Sequence, residues 1–239
     1  RAWRAELTAE DSSAACGRNQ SSLTLRVGRD NKAARLGESG YDNIRARRAE
    51  LAAEDSKPQG SHEPALRPHE LTGPWTVRFP EGWGVPASAV FPDLKSWTEH
   101  ADEGIRYFSG VVTYEKEFEL PAEYVADDTR RWLDLGRVRF VAEVSLNGRD
   151  LGTVWKPPFA LDATEALRPG ANRLVVRVAN TWSNRLVGDA NSPPDKRFCN
   201  TNMKNALTWK SPWKQHPLLE SGLMGPVRVV VLAEEGRQE

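Results

Sequence analysis

Glu115, Glu117 and Glu119 alternate along one short stretch, and two carboxyl groups roughly 5–9.5 Å apart are the equipment that glycosidic-bond cleavage requires. Same-face neighbours on an extended strand stand about 7 Å apart, so the spacing fits by arithmetic alone. The residues around them, Thr113 and other solvent-side positions, are those of an ordinary wet strand face, and no catalytic residue is assigned. His62, His69, His100 and His216 are scattered, without a Ser or Cys nucleophile motif or the spacing of a metal cluster. Cys16 and Cys199 make neither a disulfide framework nor a metal spacing, and no Asp-rich loop announces a structural calcium. No metal and no cofactor is expected.

Sugar recognition matches the residue types better. A pyranose ring offers an apolar face to aromatic side chains and a rim of hydroxyls to planar, bidentate partners. Asn180, Trp182, Asn184, Arg185 and Asp189 supply all of these types in one segment just after a core strand, as rigid placement of a binding loop demands. Trp155, Trp209 and Trp213 complete the candidate substrate-binding set. A competing reading packs these Trp side chains beneath a long loop and pairs Arg185 with Asp189 to hold it.

The elements that would position such a site begin near Leu71, where short strand-like runs are divided by turn signals at regular intervals. Trp75 to Phe79 is the first expected strand. In the run from Phe108 to Leu120, Val112, Tyr114 and Phe118 alternate with Thr113, Glu115, Glu117 and Glu119, so one face is buried and the other wet. Trp132 to Leu135 reads as a brief strand. Val138 to Leu146 reads as a single strand with Val138, Phe140, Ala142, Val144 and Leu146 inward. Asn147-Gly148 suits the positive φ angles of a type I′ turn, so the chain should return through Asp150 to Trp155. Phe159 to Asp162 is another short strand, Thr164 to Leu167 one helical turn, and Pro169-Gly170 its stop. Leu174 to Ala179 is apolar on both faces and is expected to be covered on both. Residues 180–222 read as a long irregular excursion before the closing strand, Val227 to Leu232.

Residues 1–68 differ in texture. Trp3 and Tyr41 are their only Trp, Tyr or Phe, and RAWRAELTAEDS (residues 1–12) recurs as RARRAELAAEDS (residues 45–56). The motif is rich in helix formers but has little to anchor it beyond Leu7 and Leu51. This section is expected to be a low-order, partly helical leader ending in a Pro-containing linker, with one domain over residues 69–239. Formal charge is +0 with 33 basic and 33 acidic side chains, so no phosphate-tracking surface and no nucleic-acid partner is expected. No apolar run approaches the ~18 residues of a membrane helix. The chain opens on Arg1 rather than Met, which is expected of a piece of a longer protein.

The order VSLNGRDLGTVWKPPFALDATEALRPGANRLVVRVAN, a long loop, then SGLMGPVRVVVL resembles the galactose-binding-like jelly roll of family 2 glycoside hydrolases. GPWTVRF, EGIRYFSGVVTYEKEFELP, WKPPF, NTWSNRLVGD and TWKSPW with PLLESGLMGPVRV resemble the C-terminal region of family 106 α-L-rhamnosidase-like enzymes. The resemblance implies an all-β, antiparallel β-sandwich serving as a non-catalytic accessory module. Its partners would be carbohydrate and the catalytic domain of a parent glycosidase, in a bacterial protein that is secreted or periplasmic. It further implies that the loop after the Leu174–Ala179 strand leans toward that catalytic domain and shapes its substrate cleft. A free-standing carbohydrate-binding module and a purely structural interdomain module are the alternatives. The strand-helix alternation of a (β/α)₈ catalytic barrel is absent from this sequence.

Overall fold

The computed structural model describes residues 66–126, 129–199, 201 and 212–233, together with the backbone of residues 4–11 and 21–28. Strands β1 (Arg4–Asp11) and β2 (Ser21–Gly28) form an antiparallel hairpin with Arg4 opposite Gly28 and Asp11 opposite Ser21. This corrects the helical turn expected of the first motif copy. The sequence SLTLRV of β2 is strand-favouring, and pairing along its length outweighs the small helix preference of Ala, Arg and Glu. The second copy, residues 45–56, lies outside the described residues.

From His69 onward the described chain is mostly strand and turn. In order come β3 (His69–Glu70), β4 (Trp75–Arg78), β5 (Ser88–Phe91), the single-turn helix α1 (Glu103–Arg106), β6 (Val111–Leu120) and β7 (Thr129–Asp134). There follow β8 (Arg137–Arg139), β9 (Val141–Leu146), β10 (Arg149–Val154), β11 (Ala160–Asp162), β12 (Gly170–Ala179), helix α2 (Ser183–Asn191), β13 (Gly222–Gly225) and β14 (Arg228–Ala233). A six-stranded antiparallel sheet has the order β10-β9-β12-β6-β4-β5, a four-stranded one the order β11-β7-β14-β3, and β13 pairs with β8. The chain is therefore an all-β antiparallel sandwich. Its interior is filled by alternate residues of both sheets: Val112, Tyr114, Val144, Leu146, Leu174, Val176 and Val178 from the larger, Leu133, Leu161 and Val229 from the smaller. Each fully buried aliphatic side chain contributes about 1.5–3 kcal/mol, so the period-two pattern is what selects this fold over a helical one.

The Asn147-Gly148 turn is as expected, with φ of 53° and 81°. The Asn147 side chain fastens it by donating to Ala166 O and Asn172 Oδ1, both at 2.8 Å, and by accepting from Arg173 N at 2.9 Å. Thr164 to Leu167 is one turn, closed by Leu167 N–H donating to Ala163 O at 3.0 Å. Three expectations are revised. The run from Val138 to Leu146 divides at Phe140, because β8 pairs with β13 while β9 pairs with β12, and Phe140 is left half-buried where the chain changes partners. Strand β12 is buried on one face, whereas on the other Val175 and Arg177 are half-buried and only Ala179, at its end, is buried. Residues 183–191 of the supposedly irregular excursion form helix α2. That helix escapes the sequence pattern because its buried residues Asn184, Arg185 and Asp189 are polar, so no apolar stripe of period 3.6 marks it.

At the bottom of the core, Tyr114 Oη accepts from Trp97 Nε1 and from Leu223 N, the latter at 3.2 Å. Tyr114→Phe leaves both donors buried and unpaired, an expected loss of about 2–4 kcal/mol at roughly 1–3 per group less relaxation. Burial also pushes the Tyr114 phenol well above its ordinary value. The folded protein then keeps a proton that the unfolded chain releases above about pH 10. This contribution is present below that pH and falls away above it. Urea midpoints at pH 8 and 10.5 should fall more for the parent chain than for Tyr114→Phe; equal falls would count against the argument.

Candidate functional site

Strand register places four outward-facing polar residues, one exposed and three half-buried, at one end of the six-stranded sheet. Arg78 lies opposite Thr113, Thr113 opposite Arg177, and Arg177 opposite Glu143, so the four form one row across β4, β6, β12 and β9. They alternate with buried Val77, Val112, Tyr114, Val176 and Val178, which puts the row on the face away from the core. Beyond it the chain leaves β4 through Phe79, Pro80 and Trp83 and leaves β12 through Asn180, Thr181 and Trp182. Together with Arg78, Thr113 and Arg177 of the row, these six residues line a cleft of about 310 Å³. Its floor is Arg78, Thr113 and Arg177, and its apolar wall is Phe79, Trp83 and Trp182. The Trp83 and Trp182 rings are 6.2 Å apart and tilted by 56°. Trp182 remains 49% exposed at the mouth, although Trp83 is buried. Arg78 Nε donates to Glu115 Oε1 at 2.9 Å and Arg177 Nη1 to Glu143 Oε2 at 2.8 Å.

The wall is held from behind by polar side chains. Asn180 donates to Phe108 O at 2.9 Å and Ser221 Oγ at 3.0 Å, and accepts from Gly110 N at 2.9 Å. Asn184, buried in α2, donates to Leu219 O and Ser221 Oγ and accepts from Leu219 N. Arg185 Nε donates to Asp189 Oδ1 at 3.0 Å in an ion pair whose side chains are 5% and 6% exposed. Asp189 also accepts from Phe198 N at 3.2 Å and Cys199 N at 2.7 Å. The Arg185 guanidinium lies 4.6 Å from the centre of the Phe198 ring, and that ring stacks on Trp83 at 6.0 Å with planes 16° apart. The succession Asp189, Arg185, Phe198, Trp83, Trp182 therefore runs from a buried charge pair to the exposed aromatic mouth.

Of the residues singled out in the sequence, Asn180 and Trp182 line the cleft. Asn184, Arg185 and Asp189 stand behind it, with protein partners for the bonds just given. Trp213 is buried beneath α2 against Val187, with Tyr107 and Leu218 packed on the same cluster. Trp155 is 66% exposed just past β10, and since Val154 pairs with Ala142 and Ala142 with Val178, it stands at the same end of the sheet as Asn180. Trp209 lies outside the described residues. Sequence reasoning missed Arg78, Trp83, Thr113 and Arg177. Two arginines at wet-face positions of neighbouring strands, and a Trp in the Gly/Pro-rich EGWGVP loop, were the available signals. The glutamate series lies elsewhere: Glu115 is held between Arg78 and Arg173, the latter at 3.5 Å, and Glu117 and Glu119 are exposed further along the outer face.

Comparison with known proteins agrees with this architecture. The family described as glycosyl hydrolase 2 galactose-binding domain-like matches residues 97–223. A candidate beta-glucuronidase of Formosa agariphila is 40% identical over an alignment of 186 residues that covers 71% of this chain and 16% of that protein. A solved rhamnosidase from Novosphingobium sp. PP1Y is 39% identical, with a TM-score of 0.61 over 74% of this chain and 16% of that one. The chain thus spans about one sixth of the length of each of these relatives. The matched segment runs from Trp97 through the β9–β10 hairpin and the cleft-forming end of β12 to Leu223 in β13. With more than half its length matched and the sandwich in place around it, the chain belongs to the glycosyl hydrolase 2 galactose-binding domain-like family.

Proposed function

We propose that residues 69–239 act as a non-catalytic accessory module that packs on the catalytic domain of a larger glycoside hydrolase and helps shape its substrate cleft. The observation that carries this reading is Trp182, left half-exposed at the mouth of a cleft whose other aromatic wall residues, Phe79 and Trp83, are buried. An exposed Trp on a rigid backing is a platform for the apolar face of a sugar ring. The span of one sixth of the relatives fits a module working beside a much larger partner. Trp155, at the same end of the sheet, extends the face that would meet substrate or the neighbouring domain. The rhamnosidase and beta-glucuronidase relatives point to rhamnose- or glucuronate-containing polysaccharides as the material handled.

Calorimetric titration of this chain with oligosaccharide fragments of such polysaccharides tests the sugar contact. Binding is expected, and Trp182→Ala should weaken it roughly tenfold, the ~1.4 kcal/mol of one lost ring platform. Unchanged affinity in that variant, or turnover of aryl rhamnosides or glucuronides by this chain, would overturn the reading.

A further inference from the structure

We infer that the cleft takes a negatively charged sugar, a pyranose bearing a carboxylate or a sulfate ester, with Arg78 and Arg177 as its selectors. This rests on the reading of the cleft as a sugar contact and adds the chemical class of the ligand. Among the described residues, the charged ones that line the cleft are these two arginines, and no carboxylate lines it. Their partners Glu115 and Glu143 lie outside the lining, along the same outer face. Arg78 uses Nε for Glu115, and its side chain lines the cleft while remaining 57% exposed. Arg177 carries the second guanidinium, one strand beyond Thr113 on the opposite side, which places the two backbones about 10 Å apart.

That separation suits a single ring seated over Thr113, with its hydroxyls toward the threonine and its anionic group toward one arginine. Guanidinium forks match carboxylate and sulfate geometry in a way that a neutral hydroxymethyl group cannot exploit. The apolar side of the same ring meets Trp83 and Trp182, so one residue would use both walls. A volume of about 310 Å³ is at the small end of ligand sites and fits one or two sugar units. Because the arginines are partly solvated, their attraction is screened by salt, which distinguishes this mode from ring stacking alone.

The test is titration of the unaltered chain with matched methyl glycosides: D-glucuronide and D-galacturonide against D-glucoside and D-galactoside, with D-glucose 6-sulfate separating sulfate from carboxylate as the anion. At least one anionic sugar should bind tenfold or more tightly than its neutral counterpart, and raising NaCl from 50 to 500 mM should erode that preference. The double variant Arg78→Gln, Arg177→Gln, checked for folding by near-ultraviolet circular dichroism, should bind both classes alike. Equal affinity of the unaltered chain for neutral and anionic sugars overturns the anionic assignment while leaving the sugar contact standing. Silence toward this set together with silence toward the polysaccharide fragments overturns both.

Discussion

Asp189→Ala should lower the unfolding free energy by about 3–5 kcal/mol, the usual cost of removing one partner of a buried ion pair. The carboxylate accepts from Arg185 Nε, Phe198 N and Cys199 N, so alanine strips a partner from three donors at once. Arginine cannot shed its charge to escape, and the Arg185 side chain is only 5% exposed. The variant therefore keeps a buried cation with its main anion gone. Arg185→Met should cost less, because Asp189 retains two backbone donors and the methionine still covers Phe198. Urea denaturation followed by Trp fluorescence measures both variants, with the slope expected to stay constant. If Arg185→Met proved as damaging as Asp189→Ala, the asymmetry argued from stranded charge would be wrong.

The pair has a functional side as well. Phe198 lies between the Arg185 guanidinium and Trp83, and Trp83 backs Trp182. Loosening the pair removes the support of the aromatic wall without altering any side chain that lines the cleft. Binding should thus weaken in Asp189→Ala, which strips Phe198 N and Cys199 N of their acceptor, even at temperatures where the variant is fully folded.

How much of this was legible beforehand depends on what kind of force holds each element. Strands β6 and β12 could be read because burying one face of a sheet imposes period two on the sequence, and Val112, Tyr114, Leu174, Val176 and Val178 obey it. The turn at Asn147 was legible because few residues tolerate its backbone. Helix α2 was illegible because hydrogen bonds and an ion pair, rather than an apolar stripe, seat its inner face. The division at Phe140 was illegible because a change of strand partner leaves the period of the apolar residues intact. The floor of the cleft is assembled from three strands distant in sequence, and Arg78, Thr113 and Arg177 each look like ordinary wet-face residues until the register aligns them. Asn180 and Trp182 could be found because they follow directly on a recognisable core strand.

Gly222→Ala should be similarly damaging, at about 3–5 kcal/mol, for a different reason. Gly222 has φ of 104°, where a side chain costs about 1–3 kcal/mol of backbone strain. The added methyl would also stand 2.6 Å from Tyr114 Oη and 2.8 Å from Trp97 Cδ1, well inside a normal contact of about 3.5–4 Å. Neither neighbour can withdraw cheaply: both are fully buried and bonded to each other, and forced overpacking of such a core costs about 1–3 kcal/mol more. The site is also mechanically central. Ser221, the preceding residue, accepts from Asn180 and Asn184 at Oγ and donates its backbone N–H to Ser96 Oγ, so displacement here is transmitted to the back of the cleft. Gly148→Ala supplies the control, since φ there is 81° but, among the described residues, nothing lies within 4 Å of the new methyl. It should show the strain alone, about 1–2 kcal/mol. The difference between the two alanine variants in urea midpoint then isolates how firmly Trp97 and Tyr114 are held, and a difference near zero would mean that this corner of the core yields to an extra methyl.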